Sequence, residues 1–141
     1  MLKITKLTDY SLVILCSMEY NQIISASHLH ETTKVPLPTV NKILKLLVKN
    51  NLCHTKSGKN GGFILSKPLS SISLFDVVQS IEGFTQSFTE CSNHDNKCQL
   101  QKFCKLSSKM NSVNNEISNV LKNKKLLGLA KKQFILFLKA I

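Results

Sequence analysis

The sequence predicts a mainly helical fold with a small β wing, and three observations support this prediction. Apolar residues recur at helical spacing along much of residues 4–48. A reversal rich in Gly and Asn, residues 57–61, separates two strand-like stretches at 52–56 and 62–66. From about residue 106, apolar residues follow near-heptad spacing, which is typical of a helix that packs on another helix. Together these patterns predict a winged helix-turn-helix with a long C-terminal dimerisation helix.

The predicted DNA-reading unit begins with two helices. Apolar spacing predicts the first over residues 4–20, with Thr8 or Asp9 placed to interact with its N-terminal turn if the helix starts there. Residues 24–27 open a short second helix, and Pro36 ends it because the residue before a proline is disfavoured in the helical region. This arrangement leaves a tight turn before the next helix.

Two further helices flank the wing. One covers residues 37–50, with Pro38 at a first-turn position that suits proline. The other begins at Ser73, has Asp76 three residues later as in a capping box, and ends at Gly83. The first of these is the predicted recognition helix.

The chain divides into three predicted parts. Residues 1–85 form the winged helix-turn-helix DNA-binding domain, residues 86–105 a polar loop that carries cysteines, and residues 106–141 the dimerisation helix with an amphipathic tail. The tail places Leu127 and Ala130 on its apolar side. The apolar stripe of the long helix consists of Met110, Val113, Ile117, Val120 and Leu121.

Composition narrows the class of protein. Nineteen Lys and Arg against eight Asp and Glu give a net charge of +11, which favours nucleic acid as a partner over a basic but inert surface or anionic lipid. No apolar run approaches the roughly 20 residues that span a bilayer, and the start does not resemble a signal peptide. Five cysteines, an odd number, fit reduced thiols in a cytoplasmic protein better than disulfides. No nucleophile–base set, phosphate-binding loop or catalytic carboxylate pair indicates an enzyme or a small-molecule substrate.

The predicted DNA contacts are polar residues opposite the apolar face of the recognition helix, together with nearby lysines. Asn41 can pair with adenine, Lys42 with guanine, and Thr39 with a phosphate or a thymine methyl group. The lysines can neutralise phosphates, or they are ordinary solvated charges. The full set is Lys3, Lys6, Thr39, Asn41, Lys42, Lys45, Lys49, Lys56 and Lys59.

Three cysteines, Cys91, Cys98 and Cys104, are spaced C-x6-C-x5-C in the polar loop. Thiolates are soft ligands for iron–sulfur clusters and for zinc, so the trio predicts a metal site. With His94, it can form a Cys3His zinc site; with a weaker and exchangeable fourth ligand, it can hold a labile cluster. The remaining cysteines, Cys16 and Cys53, and the histidines His28, His30 and His54 are predicted to be structural or surface residues.

From residue 1 to about residue 128, the chain resembles the Rrf-two family of winged-helix regulators, the group of IscR and NsrR. Within this family, it resembles in particular the regulators of the SUF iron–sulfur assembly system. The resemblance lies in KLTDY at residues 6–10, LPTVNKILKLLVKNNL at 37–52, GKNGGFILSKP at 58–68, SLFDVVQSIEG at 73–83, and TECS at 89–92 with the two later cysteines.

The resemblance implies a homodimer that reads a palindromic operator in double-stranded DNA and holds a [2Fe–2S] or [4Fe–4S] cluster on the cysteine trio. IscR-like members have a fourth-ligand histidine where this chain has Ser107, and a discriminating wing arginine where it has Ser57. NsrR-like members use an aspartate that matches Asp9 and arrives from the other subunit. Asp9 is therefore the first candidate for the fourth ligand, and His94 is the second.

The sequence thus predicts a cytoplasmic, dimeric repressor of iron–sulfur assembly genes that senses through a bound cluster. Two alternatives remain: a zinc-stabilised or metal-free winged-helix regulator, and a small iron–sulfur carrier or electron-transfer protein.

Overall fold

The computed structural model describes residues 4–83, 99–100 and 103–130. Along these residues come three helices, a two-stranded wing and two further helices, which confirms the predicted winged-helix class. The bounds are α1 Lys6–Cys16, α2 Ala26–Thr33, α3 Leu37–Lys49, β1 Cys53–Lys56, β2 Gly62–Leu65, α4 Leu74–Glu82 and α5 Ser107–Asn123. Residues 126–130 are again helical.

Helix α1 is shorter than the predicted span of residues 4–20 because side chains satisfy the backbone at both of its ends. Thr5 is the N-cap, and its hydroxyl accepts from the backbone N–H of Thr8. Ser17 is the C-cap, and its hydroxyl donates to the carbonyl of Val13 at 2.8 Å. Asn21 then adopts a positive φ of 64°, which directs the chain away from the helix axis.

Helix α3 forms the centre of the core. Its apolar residues recur three and four positions apart, so they lie on one face. Val40, Ile43, Leu44 and Leu47 are each 0% exposed. The helix ends at Lys49, and Asn51 follows with a left-handed φ of 59°, in agreement with the predicted end.

The wing is joined to the segment before α2. Strands β1 and β2 pair antiparallel, from Cys53 opposite Leu65 to Lys56 opposite Gly62. On the other side of β2, Ile24 and Phe63 exchange two backbone hydrogen bonds of 3.0 and 2.8 Å. A Cβ on Gly62 would lie 2.5 Å from the carbonyl oxygen of Ile24, so only glycine permits this close approach. The base of the wing is thereby fixed to the helix-turn-helix.

The segment after α5 returns to the core. Its backbone pairs with the residues around the start of α4. The Leu74 N–H donates to the carbonyl of Lys124 at 2.8 Å, and the Leu126 N–H donates to the carbonyl of Ile72 at 2.9 Å. Leu126 is 0% exposed, whereas Leu127, which the sequence places on the apolar side of the tail, is 40% exposed. The buried residue is Leu126 rather than Leu127 because the backbone bond from Leu126 to Ile72 fixes the start of this helical segment against the core.

Helix α4 begins with the predicted capping box. The Ser73 hydroxyl accepts from the N–H of Asp76, and the Asp76 carboxylate accepts from the N–H of Ser73 at 2.8 Å. The Nζ of Lys67 lies 3.7 Å from the same carboxylate. Two otherwise unpaired N–H groups at the helix start are therefore satisfied.

Asp76→Ala is expected to lower the free energy of unfolding by about 1 kcal/mol at pH 7, the usual cost of a lost cap. Partial burial raises the pKa of Asp76, but hydrogen bonds from Ser73 and the charges of Lys67 and Lys125 outweigh it and lower the pKa. The stabilisation is therefore present above the unfolded-state value of about 4 and is lost as pH falls through the lower folded value. Urea unfolding at pH 7 and pH 3 measures this; an equal loss at both pH values contradicts an ionised cap.

Candidate nucleic-acid interface and metal centre

The outer face of α3 carries the polar residues predicted to contact DNA. Asn41, Lys42, Lys45 and Lys49 are exposed, and Thr39 is half-buried near the start of the helix. The opposite face is fully buried, so the helix presents these side chains in one direction only. The residues needed for base contacts therefore lie on an accessible surface.

The stretch of chain that contains α3 and the wing carries lysines but no acidic residue. Between Glu31 and Asp76 the sequence contains no aspartate or glutamate. The lysines in that stretch are Lys34, Lys42, Lys45, Lys49, Lys56, Lys59 and Lys67. Acidic residues therefore neutralise little of the positive charge of α3 and the wing. Such a surface attracts phosphates.

The wing and α1 supply the remaining predicted phosphate contacts. Lys56, at the end of β1, and Lys59, in the turn, are exposed. Lys6 is exposed at the start of α1, and its Nζ lies 5.5 Å from the centre of the Tyr10 ring. Lys3 lies outside the described residues. The structure thus leaves both wing lysines and Lys6 accessible to a phosphate backbone.

Cys16 and Cys53 lie in or against the core, as predicted. Cys53 is 2% exposed, and burial raises its pKa to about 12. Cys16 is half-buried against the core cluster, and burial raises its pKa as well. Both side chains therefore pack as small apolar residues, in agreement with the structural role predicted for them.

The predicted metal ligands fall mostly outside the described residues. Cys91, His94 and Cys98 lie there, whereas Cys104 is a half-buried free thiol just before α5. Ser107 begins α5, and its hydroxyl donates to the carbonyl of Cys104 at 3.1 Å. Within residues 4–83, 99–100 and 103–130, no three His, Cys, Asp or Glu side chains lie close enough to hold a metal. Asp9 is exposed on α1.

A carboxylate at the end of α4 ties that end to the first turn of α1. Glu82 accepts hydrogen bonds from the Thr5 N–H and hydroxyl, both at 3.0 Å, and from the Thr8 hydroxyl. Partial burial raises the pKa of Glu82, but these bonds outweigh it and lower the pKa. Glu82 has no periodicity or motif that signals this role, so sequence reasoning missed it. The C-terminal end of α4 therefore lies beside the first turn of α1, which carries Asp9.

Helix α5 presents part of its apolar surface to the outside of the chain. Met110, Ile117 and Leu121 are half-buried. Leu106 at its N-cap is 56% exposed, Val113 is 41% exposed and Val120 is 57% exposed. These last three residues are seven positions apart, so they form one exposed apolar line along the helix.

Comparison with known proteins decides the family. A model of the Rrf2 family, described as an iron-dependent transcriptional regulator, matches residues 4–132. The chain belongs to the Rrf2 family. It is 33% identical over 125 residues to YffB of Lactococcus lactis, which is named as an HTH-type transcriptional regulator. That match covers 86% of this chain and 80% of YffB.

Solved structures of Rrf2-type regulators share the fold. CymR, the global cysteine regulator of B. subtilis, has a TM-score of 0.70 at 19% identity, over 94% of this chain and 98% of CymR. T. potens IscR has a TM-score of 0.64 at 21% identity, over 94% of this chain and 88% of IscR. At these identities the likeness concerns the fold, which agrees with the predicted winged-helix class.

The Rrf2 chain is therefore a DNA-binding transcriptional regulator and not an enzyme. Among the helices of the described residues, none has the length and apolar character needed to cross a membrane.

Proposed function

We propose that this Rrf2 protein is a cytoplasmic, homodimeric repressor of iron–sulfur assembly genes, including those of the SUF system, that senses through a bound iron–sulfur cluster. The observation that carries the proposal is the contrast among its cysteines. Cys16 and Cys53 pack in or against the core, with raised pKa values. The other three occur together in sequence between α4 and α5, with the spacing C-x6-C-x5-C, in a polar stretch.

The donor set fits such a cluster. Cys91, Cys98 and Cys104 would supply three thiolates, and Asp9 of a second subunit, or else His94, would supply the weaker fourth ligand. Ser107 offers only a hydroxyl, and that hydroxyl already donates to a backbone carbonyl. When bound, a cluster of this kind supplies a centre that oxidants, nitric oxide or loss of iron alter.

The position of the cysteines suits a sensor. In sequence, they join α4, which packs against the DNA-reading helix α3, to α5, which carries the exposed apolar line. The DNA surface would consist of Lys3, Lys6, Thr39, Asn41, Lys42, Lys45, Lys49, Lys56 and Lys59, and two copies of it in a dimer would read a palindrome. A cluster can change operator affinity only through different affinities for the two dimer arrangements.

Anaerobic purification followed by visible absorbance and analysis of iron, sulfide and zinc tests the cofactor. We expect the wild type to contain iron and sulfide and to absorb visible light. Cys98→Ala should lose the iron, the sulfide and the absorbance. The Cys98→Ala chain should remain folded, with its unfolding free energy changed by less than about 1 kcal/mol, because α1 to α4, the wing and Leu126 supply the core cluster of the described residues. Full absorbance in Cys98→Ala contradicts the ligand assignment.

Matched variants separate the alternatives. Cys16→Ala should retain the cluster, since Cys16 packs against the core. Loss of the cluster in Asp9→Ala but not in His94→Ala identifies Asp9 as the fourth ligand. Zinc without iron supports the zinc-stabilised regulator, and no metal supports the metal-free one. Failure to bind any promoter fragment, with the cluster present, supports the carrier.

A further inference from the structure

The turn between α2 and α3 is an unusual piece of backbone for its sequence. Lys34 is the C-cap of α2 and has a left-handed φ of 61°, a region that favours glycine or asparagine. Val35 follows and is 4% exposed, and Pro36 is the N-cap of α3 without a side-chain cap of its own. Other contacts must therefore hold this turn in place.

Side chains of α2 supply those contacts. The N–H of Val35 donates to the hydroxyl of Thr33 at 3.3 Å, and the carbonyl of Val35 is 2.7 Å from Nδ1 of His30. The carbonyl of His30 accepts from the N–H of Lys34 at 2.9 Å. Both backbone polar groups of the buried Val35 are thus bonded by side chains of α2, and the His30 ring makes the bond to the carbonyl.

We propose that His30 is a positioning residue for DNA reading: its ring, protonated at Nδ1, holds the turn so that α3 keeps a fixed angle to α2. A carbonyl oxygen only accepts, so the proton of this bond must be on Nδ1. The neutral Nδ1–H tautomer and the imidazolium both meet this requirement. The proposal rests on α3 being the helix that reads the operator.

Because the His30 ring bonds the turn just before α3, loss of that bond should change DNA binding and not only the stability of the fold. Thr39 and Asn41 follow the turn within the first turn and a half of α3. Base contacts require hydrogen bonds in correct alignment, whereas phosphate contacts by flexible lysines tolerate small rotations. Loosening the turn should therefore reduce sequence-specific binding selectively.

Operator fragments selected on the wild-type protein, compared with a random-sequence duplex of equal length, test the proposal. His30→Ala is expected to weaken operator binding about 25-fold, the effect of one lost hydrogen bond in each of the two subunits, and to leave random-duplex binding and its salt dependence unchanged. His30→Asn should restore most of the affinity, since its amide Nδ2 can take the place of Nδ1 as donor. Unchanged operator binding in His30→Ala, or an equal defect in His30→Asn, overturns the proposal.

A measurement on the wild-type protein is independent of any folding defect. The ¹⁵N shifts of the imidazole nitrogens should show His30 with a protonated Nδ1, with the exposed His28 on the same helix as the internal reference. An unprotonated Nδ1 in His30 overturns the proposal. If Asn41→Ala leaves operator binding unchanged, the reading role of α3 fails instead, and the two failures are thus distinguishable.

Discussion

Asn41→Ala is expected to weaken operator binding by roughly 30-fold or more, from the loss of two bidentate base contacts, one in each half-site, at about 1–3 kcal/mol each. Asn41 is exposed on the outer face of α3, and the neighbouring Val40 is fully buried, so loss of its amide changes the reading surface without affecting the core. Binding to a random-sequence duplex should change by less than about twofold, because phosphate contacts supply that affinity. Titration of both duplexes at a fixed salt concentration measures the two effects.

Lys45→Ala is the matched comparison on the same helix face. It should weaken operator and random duplex alike and reduce the slope of log affinity against log salt by about 2, since it removes one phosphate contact from each of the two subunits. Asn115→Ala on α5 controls for the replacement of an exposed asparagine in a helix. If Asn41→Ala behaves like Lys45→Ala, Asn41 contacts phosphate and does not read a base.

Local patterns account for the parts of the fold that sequence predicts well. The apolar period of α3 is clear, and its predicted span of residues 37–50 differs by one residue from Leu37–Lys49. The capping box of Ser73 and Asp76 and the glycine-containing reversal of the wing are also short-range signals. In each case the residues that determine the structure are neighbours in sequence, so one stretch contains all the information.

Long-range pairings account for what the sequence does not predict. The bridge of Ile24 to Phe63 and the return of Leu126 to the core join segments far apart in the chain, and neither has a periodic pattern. His30 and Glu82 act through bonds to Val35 and Thr5, whose geometry depends on the folded backbone. Composition identifies such polar residues, but it does not identify their partners.

In the candidate site too, short-range patterns predict some residues, and others depend on groups far away. The exposed lysines and Asn41 follow from helical periodicity, because the face opposite a buried stripe must be accessible. The assignment of Cys16 and Cys53 to structural roles also follows, because each lies in an apolar pattern. The fourth ligand does not follow from one chain, since the first candidate, Asp9, would come from a second subunit.

Val113→Asp combined with Val120→Asp is expected to convert the proposed dimer to a monomer. These residues are 41% and 57% exposed and seven positions apart on α5, in line with Leu106. Two charges on that line would have to be desolvated in a helix–helix interface, which costs several kcal/mol per ion. Light scattering after size-exclusion chromatography measures the mass, and binding to a palindromic operator should fall by at least about 100-fold because the half-sites are no longer read jointly.

Asn115→Asp combined with Asn119→Asp is the matched control, since it adds the same two charges to the polar face of α5, where both residues are exposed. It should remain a dimer, and any loss of DNA affinity caused by added negative charge should appear in it as well. Each subunit carries a net charge of +11, so either pair of acids reduces the repulsion between two copies. Dissociation confined to the valine pair can therefore arise only from loss of the apolar contact. A dimer that persists in Val113→Asp with Val120→Asp places the subunit interface on another surface.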